Sequence, residues 1–231
     1  MSCSDIITNV VSDLIFVLVI TVLWLIGSWL FRYGRTGKAR RFFGFQHQTQ
    51  IKIYVSGFEH SGVATRKVVT ALEYEAAVEM REALQHLSGR GIVHRIIDYL
   101  AGLVGQTMRY PEPDIEVSPL DEVREPPYTG SIILIGGPVA NQLTKFYLQG
   151  SPEFRFNEST GKYQKRDGGE YRDIEPSNDV AVVEKRIIKG QVVILVHGFG
   201  EKQTRRATRH LINNWERLYN QHRTQEFGIR V

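Results

Sequence analysis

Ser131-Ile132-Ile133-Leu134-Ile135-Gly136-Gly137-Pro138 and Val192-Val193-Ile194-Leu195-Val196-His197-Gly198-Phe199-Gly200 decide the fold. Each is a short, unbroken apolar run that stops at glycine. Such runs suit strands covered on both faces, the pattern of a largely parallel sheet. Pro138 fits the first turn of a following helix, where its missing N–H costs nothing.

Working outward, Ile51-Lys52-Ile53-Tyr54-Val55 alternates as a half-buried strand does. Thr70 and Glu73 have capping-box spacing and predict a helix over 71–87, with Leu72, Ala76, Met80 and Leu84 on one stripe. A second stripe, Val93, Ile97, Leu100 and Val104, predicts another helix. Residues 110–128 are Pro-rich and acidic, with Ile115 and Val117 as a short edge strand. After Pro138 a helix runs to about Leu148. Residues 151–178 read as a polar hairpin with its turn at Gly161. Strands over 181–188 and 192–196 join at Lys189-Gly190, a tight turn. A helix from about Thr204 to Gln221 buries Ala207, Leu211, Trp215 and Leu218, and 227–231 adds a strand. Strands alternating with helices predict an α/β fold over 51–231: a three-layer, Rossmann-like domain with a largely parallel sheet and one or two β-hairpins.

Upstream, the 18 residues Leu14 to Phe31 carry no charge, and Arg32, Arg35, Lys38, Arg40 and Arg41 follow them. About 18 to 20 apolar residues cross a bilayer. No basic residue precedes the run and no small-residue cleavage site follows it, so a retained helix is expected rather than a signal peptide. The charge flanks place the N-terminus outside and the following domain in the cytoplasm, as a single-pass protein of the plasma membrane. The expected organisation is an N-terminal segment with a transmembrane helix (1–31), a basic juxtamembrane linker (32–50) and a cytosolic domain (51–231). The basic run has a topological role and is a candidate for anionic membrane lipids.

Composition narrows the function classes. The chain has 231 residues and a formal net charge of +4, much of it in the juxtamembrane run. No direct DNA binding is therefore expected. The single cysteine, Cys3, excludes an intrachain disulfide and a Cys-based zinc site. The seven histidines have no HExxH-type spacing. No metal and no cofactor is assigned.

Three strand ends are the candidate site: Ser56-Gly57, Gly136-Gly137-Pro138 with Asn141, and His197-Gly198-Phe199-Gly200 with Thr204 and Arg205. In open α/β sheets ligands sit beyond the carboxyl ends of strands, where glycines admit a close backbone approach. A helix start with a hydroxyl and a guanidinium suits phosphate or another anion. The same glycines also read as ordinary turns, and Arg205 as part of a solvated helix face. GxGxxG and GxxxxGK[ST] are absent. VVILVHGFG resembles the strand and HG turn of α/β-hydrolases, but the chain holds no GxSxG nucleophile elbow. Glu73 and Glu75 are candidate acids of a nucleoside-cleaving site, with no Asp or Tyr partner at a matching spacing; Glu73 reads more simply as the capping-box residue. No complete catalytic set is present.

The layout of apolar segment, basic linker and Gly-turned sheet resembles that of single-pass bacterial membrane effectors with a Rossmann-like, CARF-type nucleotide sensor. Ser56-Gly57 stands where such sensors carry a first-strand loop. Gly200-Glu201-Lys202-Gln203-Thr204 stands where they carry a Gly-Thr-Lys-like helix start. The resemblance implies a homo-oligomeric sensor that binds a nucleotide-like anionic ligand at its strand ends and relays this to the membrane helix, in antiviral defence. The alternative is a membrane-tethered enzyme of hydrolase or glycosidase type acting on a nucleotide or NAD-like substrate.

Overall fold

A computed structural model describes residues 13–24, 26–27, 34–44, 50–60, 66–87, 112–118, 123, 130–175 and 179–231. The strands are β1 (Gln50–Val55), β2 (Phe58–His60), β3 (Arg66–Val68), β4 (Glu112–Val117), β5 (Ser131–Ile135), β6 (Phe154–Asn157), β7 (Lys162–Asp167), β8 (Glu170–Asp173), β9 (Ala181–Ile188), β10 (Gln191–Gly198) and β11 (Phe227–Arg230). The helices are α1 (residues 13–24), α2 (Arg35–Phe43), α3 (Ala71–Leu87), α4 (Gln142–Leu148) and α5 (Glu201–His222).

The main sheet is mixed, in the order β11-β9-β10-β5-β1-β4. β4, β1, β5 and β10 run parallel, and β9 is antiparallel to both its neighbours. β6, β7 and β8 form a separate antiparallel sheet, and β2 pairs with β3.

Strand periodicity sorts the apolar side chains into two cores. Ile51, Ile53, Val55, Ile133, Ile135, Ile194 and Val196 pack against α2, α3 and α5. Ile132, Leu134, Val193 and Leu195 pack on the other face against Leu143 and Tyr147 of α4 and Phe154 and Tyr163 of the small sheet. Each fully buried Ile or Leu contributes about 1.5–3 kcal/mol. This is the three-layer arrangement the apolar runs imply, with the small sheet supplying part of the second outer layer.

The expected transmembrane helix over 14–31 is corrected. Among the described residues no helix is long and apolar enough to cross a membrane. The single-pass topology and its orientation fall with it.

The stretch read as a basic linker contains α2, whose Phe42 and Phe43 are buried. Phe42 stacks on Phe227 at 6.0 Å and lies 6.3 Å from Trp215. Gly44 closes α2 in the left-handed region (φ 75°), with its N–H donating to Arg40 O. Ser131 Oγ donates to Gly44 O at 2.7 Å, which docks α2 at the amino ends of β5 and β10. A basic composition hid a helix whose two aromatics anchor it. The second stripe, 93–104, lies outside the described residues.

Candidate functional site

The connections after β1 and β5 leave the sheet on opposite faces. α3, after β1, packs with α5, whereas α4, after β5, packs on the second core. This makes the carboxyl ends of β1 and β5 a topological switch point, the place where open α/β sheets hold ligands.

The turn after β5 is shaped by its neighbours. Gly136 has φ 127°, and a Cβ there would overlap Ser56 Oγ and lie 3.2 Å from Glu73 Oε1. Only glycine tolerates both constraints. A Cβ on Gly137 would meet Gly198 O at 2.9 Å. Gly136 N–H donates to Val196 O at 3.0 Å. Pro138 is buried and opens the turn leading to α4.

Ser56 and Gly57 follow β1 and are buried. Gly57 N–H donates to Ala140 O at 3.3 Å, clasping the two turns together. Asn141 is the N-cap of α4: its Oδ1 accepts from Thr144 N–H at 3.1 Å. Its Nδ2 donates to Tyr54 O and Ile135 O at 3.4 and 3.2 Å. Asn141, expected to bind the ligand, is instead engaged within the fold, stapling the ends of β1 and β5.

Glu73 is the residue the sequence undervalued. Its N–H donates to Thr70 Oγ1 at 3.4 Å, as the capping box requires. Its carboxyl is buried beside Ser56 and Gly136, and Oε2 has no hydrogen-bond partner among the described residues. Burial raises its pKa; the neighbouring Ser56 hydroxyl opposes this, and the charge of Glu201 adds to it.

β10 ends in His197, which is fully buried. Its Nδ1 lies 3.2 Å from Tyr163 Oη, and the rings stack at 5.3 Å. Tyr163 Oη donates to Gly198 O at 3.1 Å. A phenol has one proton, so Tyr163 accepts from Nδ1–H, and His197 Nε2 carries the lone pair. Burial lowers the His197 pKa to about 3, which keeps the ring neutral. Burial, then the charge of Glu73, raises Tyr163 well above the usual phenol range.

Gly198 admits no side chain: a Cβ there would meet Val180 O at 2.8 Å. Gly200 is the N-cap of α5 and supplies no side-chain cap. Thr204 is buried in the first turns of α5, and Oγ1 has no partner among the described residues. Arg205 does not face the strand ends alone. Its guanidinium pairs with Glu75 at 2.9 Å and Glu79 at 2.8 Å, both on α3. The acidic face of α3 thus takes up the cation expected for an anionic ligand, and Glu75 with it.

The structure therefore gathers Ser56, Glu73, Gly136, Gly137, Tyr163, His197 and Gly198 at one sheet edge. The arrangement offers hydrogen-bond acceptors and a carboxyl that burial keeps inclined to hold its proton. Tyr163 was missed because it lies in a polar hairpin; the alternation Phe154, Phe156 and Tyr163 was the signal that one face of that hairpin is buried.

A model of the S-layer like family, outer domain, matches residues 114–215. The match runs from β4 into α5 and takes in the 136–141 turn and the end of β10, but not β1 or α3. No curated protein and no solved structure matches the chain.

Proposed function

We propose that the α/β domain is a ligand-binding switch that takes a nucleotide-like ligand at the carboxyl ends of β1, β5 and β10. The observation that carries this is a set of buried polar atoms near the carboxyl ends of the strands: Glu73 Oε2, His197 Nε2 and Thr204 Oγ1 lack partners among the described residues. Buried polar atoms are normally satisfied, and sugar hydroxyls and amines supply the missing donors. An anionic group would lie at the uncapped start of α5, where backbone N–H groups are free of side-chain caps. The Gly57–Ala140 hydrogen bond clasps the two turns together, so binding would select an opened turn. From Glu201 to Trp215, which lies against Phe42 of α2, α5 covers about 21 Å at about 1.5 Å per residue, and forms a path for the output.

Titrating the full chain with mononucleotides, cyclic nucleotides and oligoadenylates by calorimetry tests this. Heat that disappears in Glu73→Gln supports it; a folded sample with no heat for any of them overturns it. Light scattering with and without ligand tests the homo-oligomer. The catalytic alternative is separated by release of free base from NAD or nucleotides in the same samples.

The match over residues 114–215 favours a second reading, a structural unit of the cell surface. A membrane-impermeant amine reagent applied to intact cells would label exposed lysines such as Lys165 and Lys189. Labelling only after lysis would remove this reading.

A further inference from the structure

On the α4 side of the 136–141 turn lies a groove of about 400 Å³, between α4 and the β6–β7 hairpin. That volume is in the range of small-molecule sites, about 300–1,000 Å³. Pro138, Leu148 and Phe156 give it apolar walls, and Lys145, Arg155 and Glu158 give it charge. The two cations differ in freedom. Arg155 is held, with Nε donating to Gln164 Oε1 at 2.8 Å and the guanidinium 4.6 Å from the Tyr171 ring centre. Among the described residues Lys145 pairs with Glu158 at 2.9 Å, and both side chains are solvent-accessible. Such an ion pair is weak, so an entering anion exchanges for Glu158 readily. The hairpin tip is already ordered: Asn157 Oδ1 accepts from Ser159 N–H and Oγ and from Thr160 N–H.

We infer that this groove is a second ligand site, which takes a flat ring against Phe156 and one anionic group on Lys145, as in a nucleoside monophosphate. The ligand class rests on the nucleotide reading above; the location does not. A flat ring is suited to the Phe156 face by offset or edge packing. Two cations against one carboxylate favour an anion. The groove is also connected to the strand ends. Phe156 contacts Tyr163 at 5.4 Å between ring centres, and Tyr163 stacks on His197.

The test is photo-crosslinking of the full chain with 8-azido-AMP, alongside calorimetry with AMP and with adenosine. We expect label on the 154–159 peptide, adenosine binding at least tenfold more weakly than AMP, and Lys145→Met weakening AMP at least tenfold. Lys145→Arg should restore most of the affinity. Phe156→Leu, which keeps an apolar wall, gives a second folded variant and should also weaken AMP. Label confined to 56–57 and 136–141, with Lys145→Met silent, overturns the groove and leaves the crevice reading standing. Label on the hairpin with no effect of Glu73→Gln on any heat supports the groove and overturns the crevice. Neither label nor heat overturns both.

Discussion

Tyr163 and His197 come from different sheets, yet their rings stack at 5.3 Å and their polar atoms meet at 3.2 Å. Through this pair the small antiparallel sheet is fastened to the end of β10. Tyr163→Phe keeps the ring packing but removes the donor to Gly198 O and the acceptor for Nδ1–H. The loss should be about 1–3 kcal/mol, the range for leaving buried polar groups unpaired. Urea denaturation followed by tryptophan fluorescence measures it.

Gly136→Ala should be far worse than Gly161→Ala. Both glycines have positive φ, 127° and 65°. A Cβ at Gly136 overlaps Ser56 Oγ, whereas one at Gly161 meets nothing within 4 Å. Strain alone costs about 1–3 kcal/mol, and overpacking adds about 1–3 kcal/mol at Gly136 only. Equal destabilisation of the two variants would contradict the described packing of the 136–141 turn.

Stability should pass through a shallow minimum near neutral to slightly alkaline pH. Glu184 and Lys185 are adjacent on β9 and project from opposite faces, both buried. Burial pushes Glu184 up to about 7 from an ordinary 4.5, so the folded state holds its proton longer than the unfolded state. Stability therefore falls as pH rises from about 4.5 to about 7. Burial pulls Lys185 down to about 8 from 10.5, so stability recovers as pH rises between those values. His197 acts in the reverse sense at lower pH: its stability is lost as pH falls from about 6.5 through about 3. Between about 4.5 and 6.5 the Glu184 and His197 slopes oppose each other. Glu184→Gln should therefore turn a flat acid limb into a rising one, and Lys185→Met should remove the alkaline recovery. Denaturant midpoints at unit pH intervals would show both, and an unchanged profile in either variant would contradict its assignment.

Glu79 joins α3 to α5 by accepting from Arg205 and Arg209. Those hydrogen bonds hold its carboxyl below the usual range against the opposing effect of burial. The cluster is partly solvated, so Glu79→Gln should cost about 1 kcal/mol. Trp215→Ala, in the core between α5 and α2, should cost about 3–5 kcal/mol. Thermal melts of the two variants give the comparison.

The sheet was legible because its information is local. Unbroken runs at Ser131–Ile135 and Val192–Val196 can only be covered strands, and Lys189-Gly190, with φ 51° and 80°, can only be a tight hairpin. Ile115 and Val117 sit in β4, at one edge of the sheet as expected. The site was legible in position and less so in chemistry. The three glycine turns do converge, but Arg205 is spent on Glu75 and Glu79. Which face of α5 meets α3 is a tertiary fact that one helix's sequence does not carry. Glu73 misled for the same reason: its capping role accounts for the backbone spacing and says nothing of where the carboxyl goes. α2 was hidden because its buried stripe is a single short turn, Ala39, Phe42 and Phe43, set among basic residues.

β4 sets how copies of this unit can be joined. Pro113 removes one ladder donor from that edge strand, and Lys52 draws Asp114 and Glu116 into ion pairs beside it. A strand from another molecule laid along this edge would meet a missing N–H and a row of charge. Copies of this unit joined strand to strand would then do so through β11, at the opposite end of the sheet order, and not through β4.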